Sequence, residues 1–351
     1  MTDRQDYRFS SDNTAGICPE ALAALIEANS GRSAGYGHDA QTRRAVAQLR
    51  ELFETDCEVA FVFSGTAANA LSLSALCRGY QSIFCHEFAH VETGECAAPE
   101  FFSGGSKVIP VPGPGGKMHL AEFERALGRG RGFHFPKPGA LSLAQSSDWG
   151  TLYHPDEIRA LAAVAHGHGV GVHLDGARFA NALAVWRERG PYSAAELTWR
   201  AGVDVLSLGG TKNGMLTAEA VVFFRKEFAT DFELRVMQAG QLNSKMRFAA
   251  AQWSALLKDG AWLRHASHAN AMAAQLAAGL GSIPGLRLLT EAETNMVFIE
   301  LSPAAAAAMH ARGWRFFKFI GDHGYRLVCA WDTRPEDLQE FLSDLRRVIT
   351  V

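Results

Sequence analysis

No run of about 18 apolar residues, the length a membrane-spanning helix needs, occurs in this chain of 351 residues, so no membrane span is expected. Charge of one sign is missing too. Lys and Arg number 34 against 37 Asp and Glu, for a formal net charge of −3, and no basic stripe is visible. Nucleic acid is therefore not an expected partner. The polar start Met1-Thr2-Asp3-Arg4-Gln5-Asp6 leads into no apolar stretch, which argues against a signal peptide. Cysteine is scarce: Cys18, Cys57, Cys77, Cys85, Cys96 and Cys329, none in a C-x-x-C pair, read as reduced thiols acting as small buried hydrophobes. A cytoplasmic location fits these absences. There is no internal repeat, and the alanine run 304–308 reads as plain helix. With 48% hydrophobic and 20% charged residues the composition is that of a globular protein, long enough for two domains.

What is present is an alternation of short apolar runs with longer helical patterns. Strands are expected at 59–63, 82–85, 107–111, 139–143, 169–174, 203–208 and 219–224. Helices are expected at 66–77 and 158–166, the latter ended by Gly167 and Gly169. The apolar runs do not alternate, so they are buried on both faces, as in a mostly parallel sheet covered by helices. This is an α/β architecture. After about residue 240 the texture changes to a long Ala-rich helix (261–280), strands at 296–301 and 326–330, and helices at 303–312 and 336–348. We therefore expect an N-terminal arm over 1–20, a large α/β domain over 21–240 and a small C-terminal α+β domain over 241–351.

Ligands in open α/β sheets bind at the carboxyl ends of the strands. Ser64-Gly65-Thr66, His86, Asp175 and Lys212 all fall there. One run ends in Leu208-Gly209-Gly210-Thr211-Lys212-Asn213-Gly214. Another, 37 residues earlier, ends in His173-Leu174-Asp175-Gly176-Ala177-Arg178. A lysine that can form a Schiff base and a carboxylate that can keep a pyridine nitrogen protonated are what pyridoxal 5′-phosphate (PLP) chemistry requires. The flanking Gly209, Gly210 and Gly214 are expected to let the backbone approach a bulky ring. Taken alone, the lysine heptapeptide also reads as a surface turn, and Asp175 as a helix cap or metal ligand. Arg178 offers a planar fork for a substrate carboxylate. Ser64-Gly65-Thr66 links a strand to a helix and reads either as a phosphate site or as an ordinary N-cap. Thr211 and Lys245 or Arg247 can supply further contacts to a dianion.

His86-Glu87-Phe88-Ala89-His90 matches the H-E-x-x-H zinc pattern, which needs a helix through the motif. Here it abuts a strand. The glycine and third histidine of the longer form are replaced by Thr93 and Cys96. A zinc hydrolase using His86 and His90 is thus the rival from a different class. In the PLP reading no metal is called for, and His90 is the candidate to stack on the ring.

These residues resemble the low-specificity L-threonine aldolase family, PLP enzymes of the aminotransferase-like fold (fold type I) among the β-eliminating lyases. The resemblance runs through Phe9-Ser10-Ser11-Asp12-Asn13, Ala34-Gly35-Tyr36-Gly37-His38-Asp39 and Phe63-Ser64-Gly65-Thr66-Ala67-Ala68-Asn69. It continues through Ala89-His90-Val91-Glu92-Thr93, the Asp175 and Lys212 segments, Lys245-Met246-Arg247 and Tyr325-Arg326-Leu327-Val328. It implies Lys212 as the Schiff-base lysine, Asp175 at the pyridine nitrogen and His90 on the ring. Gly65 and Thr66 would hold the phosphate, with Lys245 or Arg247 reaching in from a second subunit. Ser11, beside Asp12, would bind the substrate carboxylate with Arg178 and Arg326, and Tyr36 would line the site across a dimer interface. Gln145 departs from the asparagine many relatives place near the cofactor's ring oxygen, and Gly94 departs from the polar residue some carry.

The implied reaction is aldol cleavage of L-threonine, L-allo-threonine and related L-3-hydroxy-amino acids to glycine and an aldehyde. His90 is the first candidate for the base at the β-hydroxyl, with His86 and Glu95 as alternatives. β-Elimination, racemisation and hydroxymethyl transfer are the competing reactions on the same scaffold. A homotetramer built as a dimer of dimers, with shared active sites, is the implied assembly.

Overall fold

The computed structural model describes residues 5–130 and 132–349. Its large sheet is seven-stranded, in the order β1-β7-β6-β5-β4-β2-β3. The strands are β1 (Glu58–Val62), β2 (Gln81–His86), β3 (Lys107–Val111), β4 (Lys137–Ala144), β5 (Gly171–Gly176), β6 (Val205–Leu208) and β7 (Glu219–Phe223). Strands β6, β5, β4, β2 and β3 pair in parallel, while β7 is antiparallel to both β6 and β1. The reversal at β7 has a simple cause. The β6–β7 connection contains only a short 3₁₀ turn, Thr211–Asn213, and a parallel crossover needs a dozen or more residues, usually a helix.

Both faces of the sheet are covered, as the unbroken apolar runs imply. Val205 and Val221 pack into one core, whereas Leu206 and Val222 pack into the other. The first of these lies under the helix Gly65–Leu76, which is buried nearly all round. Its Ala and Ser side chains let the helix axis approach the strands closely.

The second sheet contains β8 (Arg287–Leu288), β9 (Met296–Glu300), β10 (Phe317–Ile320) and β11 (Gly324–Val328), antiparallel throughout in the order β10-β11-β9-β8. One face packs under the helices Ala261–Gly281, Pro303–Ala311 and Pro335–Ile349. The other presents Met296, Phe298 and Val328, and Trp149, after β4, stacks on Phe298. Phe9 of the N-terminal arm inserts into the small-sheet core, and Asp6 pairs with Trp314.

The stretch after residue 241 is shared between the two cores. Ala249, Trp253 and Leu256 of the helix Arg247–Lys258 belong to the large core, as do Ala261, Trp262 and Ala266. Met272, Ala273, Leu276 and Leu280 belong to the small one. One continuous helix, Ala261–Gly281, therefore serves both cores. Five of the six cysteines are buried and all are free; Cys96 is exposed. Among the described residues no helix is long and apolar enough to cross a membrane.

Phe341 anchors the small core edge-on to Phe9 and Trp314, with ring centroids 5.1 Å and 5.0 Å away. Phe341→Ala is expected to cost about 3–5 kcal/mol in urea denaturation. A loss under about 1 kcal/mol would show that the ring is not a keystone of that core.

Candidate active site

The carboxyl ends of β4, β5 and β6 open into one cleft of about 120 Å³, lined by Ser11, Gly65, Asn69, His90, Asp148, Asp175, Arg178, Lys212 and Arg326 among others. Parallel pairing puts the key residues there. Asp175 lies beside Ala144 of β4 and Ser207 of β6, and Lys212 lies four residues past the end of β6. Lys212 is partly buried. Burial pushes its amine below the ordinary lysine range, helped by Arg178 and opposed by Asp12, Asp175 and Glu219. It makes no hydrogen bond or ion pair among the described residues, so its amine is available.

Burial acts on Asp175 in the opposite sense, but His90 and Lys212 hold its carboxyl below the usual range. Its oxygens accept from Asn69 Nδ2 (2.8 Å) and from the Ala177 amide (2.9 Å). His90 Nδ1 donates to Glu95 Oε1 (2.8 Å), which also accepts from Asn69 Nδ2 (2.8 Å). Glu95 is fully covered while His90 remains open to the cleft. The hydrogen bond to Glu95 raises the His90 pKa against the effect of burial. Burial raises that of Glu95.

The two arginines differ. Arg178 gives both Nε and Nη2 to the buried carboxylate of Asp12, at 2.7 Å and 2.8 Å. Arg178, with Lys212, keeps Asp12 ionised despite its burial. Arg326 lies over the Phe319 ring at 4.6 Å, its Nε is buried without a partner, and no carboxylate pairs with it among the described residues. Burial and Arg178 push it down to about 10, so it is still charged at neutral pH. An expected clamp of two free cations is thus one compensated cation and one that lacks its anion.

Several expected residues lie elsewhere. Gln145 is fully buried and does not line the cleft: both ends of its amide bond the backbone of Tyr153, at 3.0 Å each. Ser64 caps the helix Gly65–Leu76 by accepting from the Ala67 amide, leaving the amides of Gly65 and Thr66 without intrahelical partners. A Cβ built at Gly65 meets nothing within 4 Å, so there is open space at that helix end. Thr211 accepts from the Ala218 amide and its own amide donates to Glu219, so it braces the β6–β7 connection. Lys245 and Tyr36 are exposed, and Arg247 reaches toward the Gly31 carbonyl; none lines the cleft. Tyr36 instead borders a separate cavity of about 490 Å³ with Phe61, Phe223 and Met246.

His86 ends β2 with its nitrogens engaged by the Gly113 carbonyl and the Phe88 amide. A strand end cannot place it one helical turn from His90, and the H-E-x-x-H zinc reading fails on that geometry. The glycines around Lys212 have a different cause from the one expected. A Cβ at Gly209 would lie 2.4 Å from the Ala177 carbonyl oxygen, and one at Gly210 2.3 Å from that of Ala218. The chain's own backbone, rather than a ligand, demands them.

Asn69 and Asp148 were missed. Asn69 sits in a helix that otherwise reads as core, and its polar side chain amid small apolar residues was the available signal. Asp148 accepts from the His90 amide (3.2 Å), and burial and Asp175 push its carboxyl up.

The family model for beta-eliminating lyases matches residues 8–304. A low specificity L-threonine aldolase of Pseudomonas sp. (strain NCIMB 10558) is 49% identical over 350 residues, covering 100% of both chains. One from Pseudomonas aeruginosa is 50% identical over 349 residues, covering 99% of each. The structure of a threonine aldolase from Leishmania major superposes with a TM-score of 0.90 at 28% identity, covering 98% of this chain and 100% of that one. The chain belongs to the beta-eliminating lyases and, within them, to the low-specificity L-threonine aldolase family. Its architecture is the aminotransferase-like fold type I, and the family's cofactor is PLP.

The residues present fit that cofactor. A free, depressed lysine amine and an ionised Asp175 face one cleft, and two unpartnered amides open onto vacant space at Gly65. Lys212 would carry the coenzyme, Asp175 would hold the pyridinium proton, and Gly65 and Thr66 would meet the phosphate.

A Cβ at Gly94 would sit 2.8 Å from the His90 ring, so Gly94→Val must tilt the imidazole. Turnover is expected to fall while coenzyme absorbance is retained, and an unchanged kcat would show that ring position is immaterial. His173 lies on the same face of β5 as Asp175. It is buried between Ser142 and Ser207 (3.0 Å and 2.9 Å), and burial lowers its pKa from 6.5 to about 4. Between those values the unfolded chain takes up a proton that the native protein refuses. The stability that depends on neutral His173 is therefore complete above pH 6.5 and is lost as pH falls toward 4, by roughly 3 kcal/mol. Denaturation at several pH values, against His173→Gln, should show that slope in the wild type only.

Proposed function

We propose that this protein cleaves L-3-hydroxy-amino acids, including L-threonine and L-allo-threonine, to glycine and an aldehyde, which is acetaldehyde for threonine. The observation that carries this reading is the unpartnered Arg326 across the cleft from Lys212 and Asp175. That cation awaits the carboxylate of an amino acid whose nitrogen lies toward the lysine. The full-length likeness to low specificity L-threonine aldolases selects aldol cleavage over β-elimination, racemisation or hydroxymethyl transfer.

Bound PLP supplies an electron sink for the electron pair left at Cα when Cα–Cβ breaks. Everything else falls to the chain. Arg326, with the remaining N–H groups of Arg178 and the Ser11 hydroxyl, grips the substrate carboxylate and sets the Cα–Cβ bond for cleavage. Asp12 keeps Arg178 in its plane. Asp175 would hold the proton, and so the positive charge, at the pyridine nitrogen. Nε2 of His90 removes the proton from the β-hydroxyl, and Glu95 at Nδ1 fixes the tautomer and supports the imidazolium that forms. Cα takes up a proton in place of the bond to Cβ, which completes glycine, and Lys212 would hold the coenzyme between turnovers.

A homotetramer arranged as a dimer of dimers belongs to this proposal, as does a cytoplasmic location. Support for shared sites comes from Tyr36, Lys245 and Arg247, which do not reach the cleft of their own protomer. In this reading each serves a neighbour's phosphate or substrate.

The test is direct. Purified protein with PLP should release glycine and acetaldehyde from L-threonine and L-allo-threonine, and absence of both products would refute the reading. Lys212→Ala should give no turnover and lose the borohydride-bleachable band. Arg326→Leu should raise KM for threonine about 10- to 100-fold with coenzyme binding intact; an unchanged KM would remove Arg326 from the carboxylate site.

A further inference from the structure

Two buried carboxylates meet at a single amide. Asn69, in the second turn of the helix Gly65–Leu76, points its Nδ2 at Asp175 Oδ2 and at Glu95 Oε1, each at 2.8 Å. The same Glu95 oxygen accepts from His90 Nδ1. A continuous hydrogen-bonded line therefore runs from the end of β5, through the helix, to the segment after β2. The orientation of the Asn69 amide is dictated by charge. Flipped, its oxygen would face two carboxylates and its donors would have no acceptor. As it stands, both donors meet anions and Oδ1 lies buried without a partner. That arrangement is costly for a residue whose only duty is to fill a core position.

The charged groups facing His90 come from four elements. Glu95 is on its own segment, Asp148 follows β4, Asp175 ends β5 and Lys212 follows β6. Of these, only Glu95 touches the ring among the described residues; Asp148 bonds the His90 backbone.

We propose that Asn69 is a positioning residue that ties the pyridine-nitrogen partner Asp175 to the Glu95–His90 pair, so that one amide sets both the placement of Asp175 and the proton affinity of the His90 imidazole. The inference rests on the reading of His90 as proton acceptor. The physical chain has two steps. The Asn69 donor favours the ionised form of Glu95, which burial opposes. Ionised Glu95 in turn favours the imidazolium. Removing the amide lets Glu95 take a proton, and the affinity of His90 for its own proton falls. Asp175 keeps its second donor, the Ala177 amide, and so remains an anion.

The experiment uses the PLP-loaded protein carrying isotope-labelled histidine. The His90 titration is followed by NMR, beside the pH profile of kcat/KM, in wild type, Asn69→Ala, Glu95→Gln and the double variant. Asn69→Ala should move the His90 midpoint to lower pH by about half a unit or more. The acidic limb of kcat/KM should follow in the same direction. With Glu95→Gln already present, removing Asn69 should add no further shift. A His90 midpoint unmoved by Asn69→Ala, or shifts that simply add in the double variant, would overturn the proposal. A moved midpoint with an unmoved kinetic limb upholds the coupling and overturns His90 as the base. Asn69→Ser offers one donor in place of two and covers the case in which the alanine variant does not fold. Its midpoint should move the same way by less, and no movement would again overturn the proposal.

Discussion

The buried ion pair between Asp12 and Arg178 is the joint on which the site is assembled. Asp12 comes from the N-terminal arm and Arg178 from the turn after β5. Asn295, just ahead of β9, donates to the same carboxylate at 3.0 Å. Three parts of the chain are thus registered against one another by one carboxylate. A buried pair of this kind adds little net stability, but losing either partner strands the other charge. Its role here is geometric. It brings Ser11 to the cleft mouth, fixes the plane of Arg178 and sets the small sheet so that Arg326 of β11 reaches in.

Around that joint the cleft gathers charges of both signs. Asp175 is kept ionised by His90 and Lys212 despite its burial, whereas Asp148 and Glu95 are pushed toward protonation. Three carboxyl groups within one cleft therefore carry different proton affinities, set by what each one touches. Lys212 is drawn the other way, toward the neutral amine a nucleophile needs. Arg326 is charged but touches no carboxylate among the described residues, and that gives the site its appetite for one.

Much of this was legible in the sequence because strand ends are legible. Lys212, Asp175, Gly65 and His90 each follow a run of Val, Ile, Leu or Phe that could only be a buried strand. Ligands gather at such ends. What was not legible has specific causes. Gln145 offers a side-chain amide at the right strand end, but that amide is used locally by the Tyr153 backbone, and no spacing reveals that. The glycines beside Lys212 answer to Ala177 and Ala218, partners distant or hidden in the linear pattern. Asn69 was hidden inside a helix of small, buried residues. The reversal of β7 depends on the shortness of one connection, and the sharing of one helix by two cores on halves that look alike in composition.

That shared helix, Ala261–Gly281, has a mechanical meaning. Its first turns are embedded in the large core and its last in the small, with no flexible joint between them, so the two sheets cannot hinge freely as separate bodies. A chain cut just beyond it would leave Met272, Leu276 and Leu280 facing water. The small sheet is thus not a detachable lid but the far end of a rigid strut, and Arg326 is held at a fixed reach from Lys212 as a matter of construction.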